Sequence, residues 1–96
     1  MIIELKKFGT TLLSRGSGRE AFTAFQSTLQ TIPTNEPIVV DFEGVLTFSP
    51  SWGDEFLTPL RKRFDERLRL KKSDNPSVLA TLEILEQTSG TKFTME

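Results

Sequence analysis

Apolar residues along the chain follow two rhythms that take turns. Near the start, Ile2, Ile3 and Leu5 form a short apolar stretch, and Thr10 to Leu13 follows after Gly9, which predicts two short strands. Phe22, Phe25, Leu29 and Ile32 then recur at steps of three, four and three, one face of a helix. "SGRE" reads as the start of that helix, with Ser17 as its cap and Glu20 completing a capping box. Pro33 and the polar residues after it end the helix. In "PIVVDF" (Pro37 to Phe42) apolar and β-branched residues are consecutive, the pattern of a strand buried on both faces in a parallel sheet covered by helices.

From Trp52 the apolar residues step by four through Phe56, Leu60 and Phe64, predicting a second helix that Pro59 should kink or divide. "RLRLK" alternates, so Leu68 and Leu70 face one way on a third main strand. Asn75 is placed to cap a third helix with Pro76 at its first position, Val78, Leu82 and Leu85 on its buried face, and Gly90 as its stop. Residues 90–96 read as a flexible tail. The predicted order is β-β-α-β-α-β-α: a single α/β domain over residues 1–96 with a small, single-layer, mixed or mostly parallel sheet and right-handed crossovers.

Composition narrows the chemistry more than the fold. The 96 residues contain no His and no Cys, which removes the usual neutral-pH base, thiolate chemistry, disulfides, Cys-ligated zinc and any Ser-His-Asp triad. A formal net charge of -1 predicts no global attraction to nucleic acid or to anionic membranes. No apolar run approaches the roughly 18 residues of a membrane span, and "MIIELKKFG" lacks the layout of a signal peptide. The expectation is a cytoplasmic protein without a cofactor, and not an enzyme.

The stretch "VVDFEGVLTFSPSWGDEF" concentrates the candidate chemistry. Ser51 can cap the second helix with Asp54 three residues on; alternatively Ser49 caps it with Pro50 as the first helical residue. Either device is worth about 1 kcal/mol. A phosphate on Ser51 would face the positive end of the helix but meet repulsion from Asp54 and Glu55. Trp52, if exposed, would be an anchor for a partner, although its place in the step-of-four pattern favours burial. Asp41, Glu43, Asp54 and Glu55 could instead converge at a strand end and hold Mg²⁺.

Two weaker patterns lie outside that stretch. "GSGREA" fits a loose dinucleotide fingerprint, for which a turn with a Ser17 cap is the simpler reading. Arg15 and Arg19 beside it could contact an anion at the helix start. Residues Arg61 to Lys72 hold seven of the twelve basic residues against two acidic ones. Arg61 with Asp65, Lys62 with Glu66, and Asp65 with Arg69 would screen part of that charge at i,i+4 spacing if the helix reached so far.

The element order, with Phe8-Gly9, Ser14-Arg15, Asp41-Phe42-x-Gly44-Val45 and Asp54-Glu55, resembles the STAS-like domains of unknown function. These are related to the STAS domains of anti-sigma factor antagonists. The similarity runs from about Ile3 to Leu85, most of the chain. In STAS regulators the loop after the central strand ends in an Asp-Ser pair at a helix start, and a histidine-kinase-like ATPase phosphorylates that Ser. The matching positions here are Pro50 and Ser51, so the Ser is kept and the acidic neighbour is replaced. The resemblance implies a regulatory, bacterial signalling role through protein–protein contact, possible partners being such an ATPase or another regulator. Ser49, Ser51, Trp52, Asp54 and Glu55 are the expected docking surface, with Ser51 the candidate phosphosite. A nucleic-acid accessory domain using Arg61 to Lys72 is the alternative.

Overall fold

In the computed structural model, which describes residues 1–96, β1 (Ile2–Glu4), β3 (Ile38–Asp41), β5 (Leu68–Leu70) and β6 (Thr94–Met95) form one parallel sheet in that spatial order. The connections run through α1 (Arg15–Leu29), α2 (Pro50–Phe64) and α3 (Pro76–Ser89). Each crossover moves the chain one strand further in the same direction. With a common right-handed sense, all three helices therefore land on one face of the sheet. The side chains agree: Ile3, Ile38, Val40, Leu68 and Leu70 are buried under the helices, whereas Ile2, Val39 and Arg69, which are paired in register, lie on the other face at intermediate to full exposure. The strand Pro37 to Phe42 was expected to be buried on both faces. It is shorter and buried on one, because no helix returns to cover its back.

A second, two-stranded parallel ribbon continues beyond this sheet. β2 (Thr11–Leu12) follows β1 after a 3-10 turn over Leu5–Phe8, and β4 (Thr47–Phe48) follows β3 after a turn at Gly44. Thr11 pairs with Thr47 and Leu12 with Phe48. β4 has no pattern of its own in sequence, since two residues are too few to show alternation.

α2 lies between α1 and α3, and its apolar stripe organises the core. Trp52, Phe56, Leu57 and Leu60 are fully buried, and Trp52 stacks on Phe56 with ring centroids 5.0 Å apart. Phe8, Phe22, Phe25 and Phe48 close around these two rings. Pro59 does not divide α2, which is continuous from Pro50 to Phe64. A proline forfeits one backbone hydrogen bond, and here the buried residues on both sides of it hold the helix together.

Several boundaries differ from the sequence reading. α1 is capped by Ser14, whose Oγ accepts from the Ser17 N–H at 3.1 Å, so Ser17 and the glycines of "GSGREA" are helical and form no phosphate-cradling loop. α2 ends at Phe64 because Asp65 turns to positive φ, 51°, and the three expected i,i+4 ion pairs do not form. Residues 90–96 are more than a tail. Gly90 closes α3 at φ 72°, Phe93 is buried, and β6 joins the sheet edge, with the Glu96 N–H donating to the Leu70 carbonyl at 2.9 Å. Arg61 holds this return, donating to the Thr91 carbonyl at 3.0 Å and covering the Phe93 ring at 4.4 Å.

Candidate functional site

The ribbon of β2 and β4 brings the starts of all three helices to one end of the molecule. Each helix is capped by a side chain tied to its neighbours. Ser49 caps α2, accepting from the Trp52 N–H at 3.1 Å while donating to the Leu13 carbonyl next to the start of α1. Asn75 caps α3 through the N–H groups of Ser77 and Val78, and its amide donates to the Val45 carbonyl at 2.9 Å. Ser77 and Thr81 both donate to the Phe48 carbonyl, and Ser77 Oγ also accepts from the Phe48 N–H. Buried backbone groups rarely go unpaired, so these side chains finish what two-residue strands leave open.

This settles the cap of α2. Ser49 with Pro50 as the first helical residue is the arrangement formed, and its hydroxyl is used twice internally. Ser51 is therefore free of capping. It sits at intermediate exposure in the first turn, with no hydrogen-bond partner in the protein. Its helical face is shared with Asp54 and Glu55, three and four residues on.

Those two carboxylates meet α1. Arg15 donates to Asp54 Oδ2 at 2.9 Å and to Glu55 Oε1 at 3.1 Å, and Arg19 reaches Glu55 Oε1 at 3.3 Å. The expected contact of Arg15 and Arg19 with a free anion is thus replaced by ion pairs inside the protein. Hydrogen bonds from Arg15 and then Thr58 hold the Asp54 carboxyl below its ordinary range, and those from Arg15 and Arg19 do the same for Glu55. The Arg15 guanidinium is pushed further up by Asp54 first and Glu55 second. Arg15, the first residue of α1, opposes that helix's dipole, and its pairing with Asp54 and Glu55, the fifth and sixth residues of α2, offsets this.

The pairing depends on a close approach. Gly18 lies against α2 so tightly that a Cβ there would stand 2.7 Å from the Trp52 carbonyl oxygen and 3.0 Å from its Cα. Trp52 itself is 0% exposed. It therefore cannot be the surface anchor of the predicted docking set; its stacking on Phe56 is what the step-of-four pattern describes. Exposed apolar groups at this end include Leu46, 70% exposed, and Leu13, 49% exposed, beside Leu79 in the first turn of α3. Sequence reasoning missed them. In "TTLLSR" the only available signal was two adjacent leucines on a strand too narrow to bury both, since neighbours point to opposite faces.

The four carboxylates proposed as a metal cluster are divided between two places. Asp54 and Glu55 belong to the network with α1. Asp41 and Glu43 line an open cleft of about 580 Å³ with Lys71, Lys72, Ser73 and Asp74, beyond the carboxyl ends of β3 and β5. There Asp41 Oδ1 accepts from the Glu43 N–H at 3.0 Å and Oδ2 faces Lys71 at 3.8 Å. Nowhere do three acidic side chains gather as metal ligands.

The basic segment is also dispersed. Arg61 is engaged with the C-terminal strand, and Arg67 donates to the carbonyls of Glu36 and Pro33 while lying over the Phe64 ring. Arg69 stands on the uncovered face of the sheet, and Lys71 and Lys72 line the cleft. No helix is long and apolar enough to cross a membrane. Comparison with known protein families, curated proteins and solved structures finds no match.

Proposed function

We propose that this domain is a non-enzymatic regulatory module that docks a protein partner on the end where its helices start. The observation that carries the reading is Ser51: a hydroxyl left free on a helix start whose cap is supplied by Ser49, beside a network of two arginines and two carboxylates. Leu13 and Leu46 supply apolar contact, and Asp54, Glu55, Arg15 and Arg19 supply a charged rim. The STAS-like resemblance makes the expected partner a histidine-kinase-like ATPase or another regulator, and Ser51 the phosphosite.

Phosphate on Ser51 would act on the same network. It adds charge of about −1.5 to −2 three and four residues before Asp54 and Glu55, and competes with them for Arg15. The docking face would then change its charge pattern without any change in the core. The test begins with a tagged chain and the protein it recovers from cells, with affinity then measured for that purified pair. Ser51→Asp and Leu46→Glu are expected to weaken binding at least tenfold with unchanged urea midpoints. Unchanged affinity in both variants would refute docking at this end.

A further inference from the structure

Arg15 and Ser51 flank one contact between α1 and α2. The Ser49 hydroxyl donates to the Leu13 carbonyl, and Arg15 and Ser51 each lie two residues further along. They are the first residue of α1 and the second of α2. The half-exposed Arg15 guanidinium reaches Asp54 and Glu55, one helical turn beyond Ser51 on a shared face. Side chains so spaced start about 5–6 Å apart. Rotation of Arg15 therefore carries it from the carboxylates to a group on Ser51 without moving the backbone. The network is also built to spare this one contact. Asp54 Oδ1 accepts from the Thr58 hydroxyl at 2.9 Å, and Glu55 Oε1 accepts from Arg19 at 3.3 Å, so each carboxylate keeps a donor when Arg15 leaves.

We infer that Arg15 is a two-position switch: on phosphorylation of Ser51 it leaves Asp54 and Glu55 and binds the phosphate, uncovering both carboxylates on the docking face. This rests on the assignment of Ser51 as the phosphosite. In that modification the Ser51 Oγ takes the γ-phosphoryl group of a nucleoside triphosphate, its proton is released, and the nucleoside diphosphate departs. The phosphate carries about −1.5 to −2 against −1 for a carboxylate, and a guanidinium binds it through two parallel hydrogen bonds. Arg19 stays behind, since it lies a full turn further along α1 and its partner is Glu55. The close approach at Gly18 holds the two helices together in both states. A partner thus meets Asp54 and Glu55 covered by Arg15 in one state and uncovered in the other.

The test is a phosphorus NMR titration of the full chain carrying phosphoserine at position 51, with no partner present. The charged groups around that position are Arg15, Asp54 and Glu55, with Arg19 beyond Glu55 and Lys62 beyond Asp54. Capture by Arg15 is expected to bring the second ionisation of the phosphate below its ordinary value of about 6, by roughly 0.5 to 1 pH unit. Arg15→Gln should return it to that value or above, because Asp54 and Glu55 then repel the dianion unopposed. Arg19→Gln should move it less than half as far. Amide spectra of both variants establish that the fold is unaltered. A phosphate that ionises at or above its ordinary value in the unsubstituted chain overturns the inference. A midpoint that Arg15→Gln leaves in place, or that Arg19→Gln moves as far, overturns it as well. Docking at this end is judged separately, by the affinities of Leu46→Glu and Ser51→Asp, so either can fail while the other stands.

Discussion

Adding one methyl group to Gly18 should destabilise the protein, although the same change at an ordinary helix position stabilises it. Gly18 is the fourth residue of α1, where alanine is favoured over glycine by about 1 kcal/mol. The new Cβ would lie 2.7 Å from the Trp52 carbonyl oxygen, 3.0 Å from its Cα and 3.2 Å from the Glu55 Cβ. Two of these are backbone atoms, so no side-chain rotation relieves the contact. Reaching ordinary contact distance requires α1 to retreat by roughly 0.7 Å from a helix whose other side is packed in the core. Overpacking of this kind costs about 2–3 kcal/mol, leaving a net loss of about 1–2 kcal/mol. Gly16, two residues earlier, has nothing within 4 Å of its added Cβ, and Gly16→Ala should gain about 0.5 kcal/mol near the helix end. For a chain of this size the two variants should differ in Tm by about 6–20 °C, measured by thermal and urea unfolding. Gly18→Ala at or above the stability of Gly16→Ala would show that the α1–α2 contact is not the tight one described.

Two further outcomes follow from the charged groups. Asp54 and Glu55 are held below their ordinary carboxylate range by Arg15, so their stabilisation is present above the unfolded values of about 4 and is lost as pH falls through the lower folded ones. NMR titration should place both midpoints below the ordinary range in the wild type. In Arg15→Ala they should move up, with a small, solvent-screened loss of stability near neutrality that vanishes once both carboxylates are protonated. Midpoints that do not move on removing Arg15 would mean the pairing is absent in solution. At the other end of α2, Arg61→Ala should release the C-terminal strand alone, so that hydrogen exchange at the Glu96 amide speeds by tenfold or more while β3 amides keep their protection. Equal exchange at Glu96 in both proteins would assign that strand's order to Phe93 burial alone.

The main elements were legible in the sequence because they rest on local periodicity. The stepped aromatics and leucines of α2, the alternation of Leu68 and Leu70, and the Asn75–Pro76 start of α3 follow from which side chains share a face and which can cap. The parallel α/β class followed from the order of those elements. Trp52 shows the same rule at the candidate site: its place in the stripe favoured burial, and it is buried.

What tertiary structure decided were the relations between distant segments. Nothing local told Ser14 from Ser17, or Ser49 from Ser51, as caps; the choice depends on where the preceding strand delivers the chain and on which hydroxyl can also reach a neighbouring carbonyl. β4 and β6 are two residues each, long enough to pair and too short to carry a pattern. Arg15 and Arg19 could not be matched to Asp54 and Glu55, nearly forty positions away, before the Gly18 approach brought the helices together. Propensity and amphipathicity are summed over neighbours in sequence and so are written there. Pairing, coverage of a sheet face and the accessibility of an edge are set by neighbours in space.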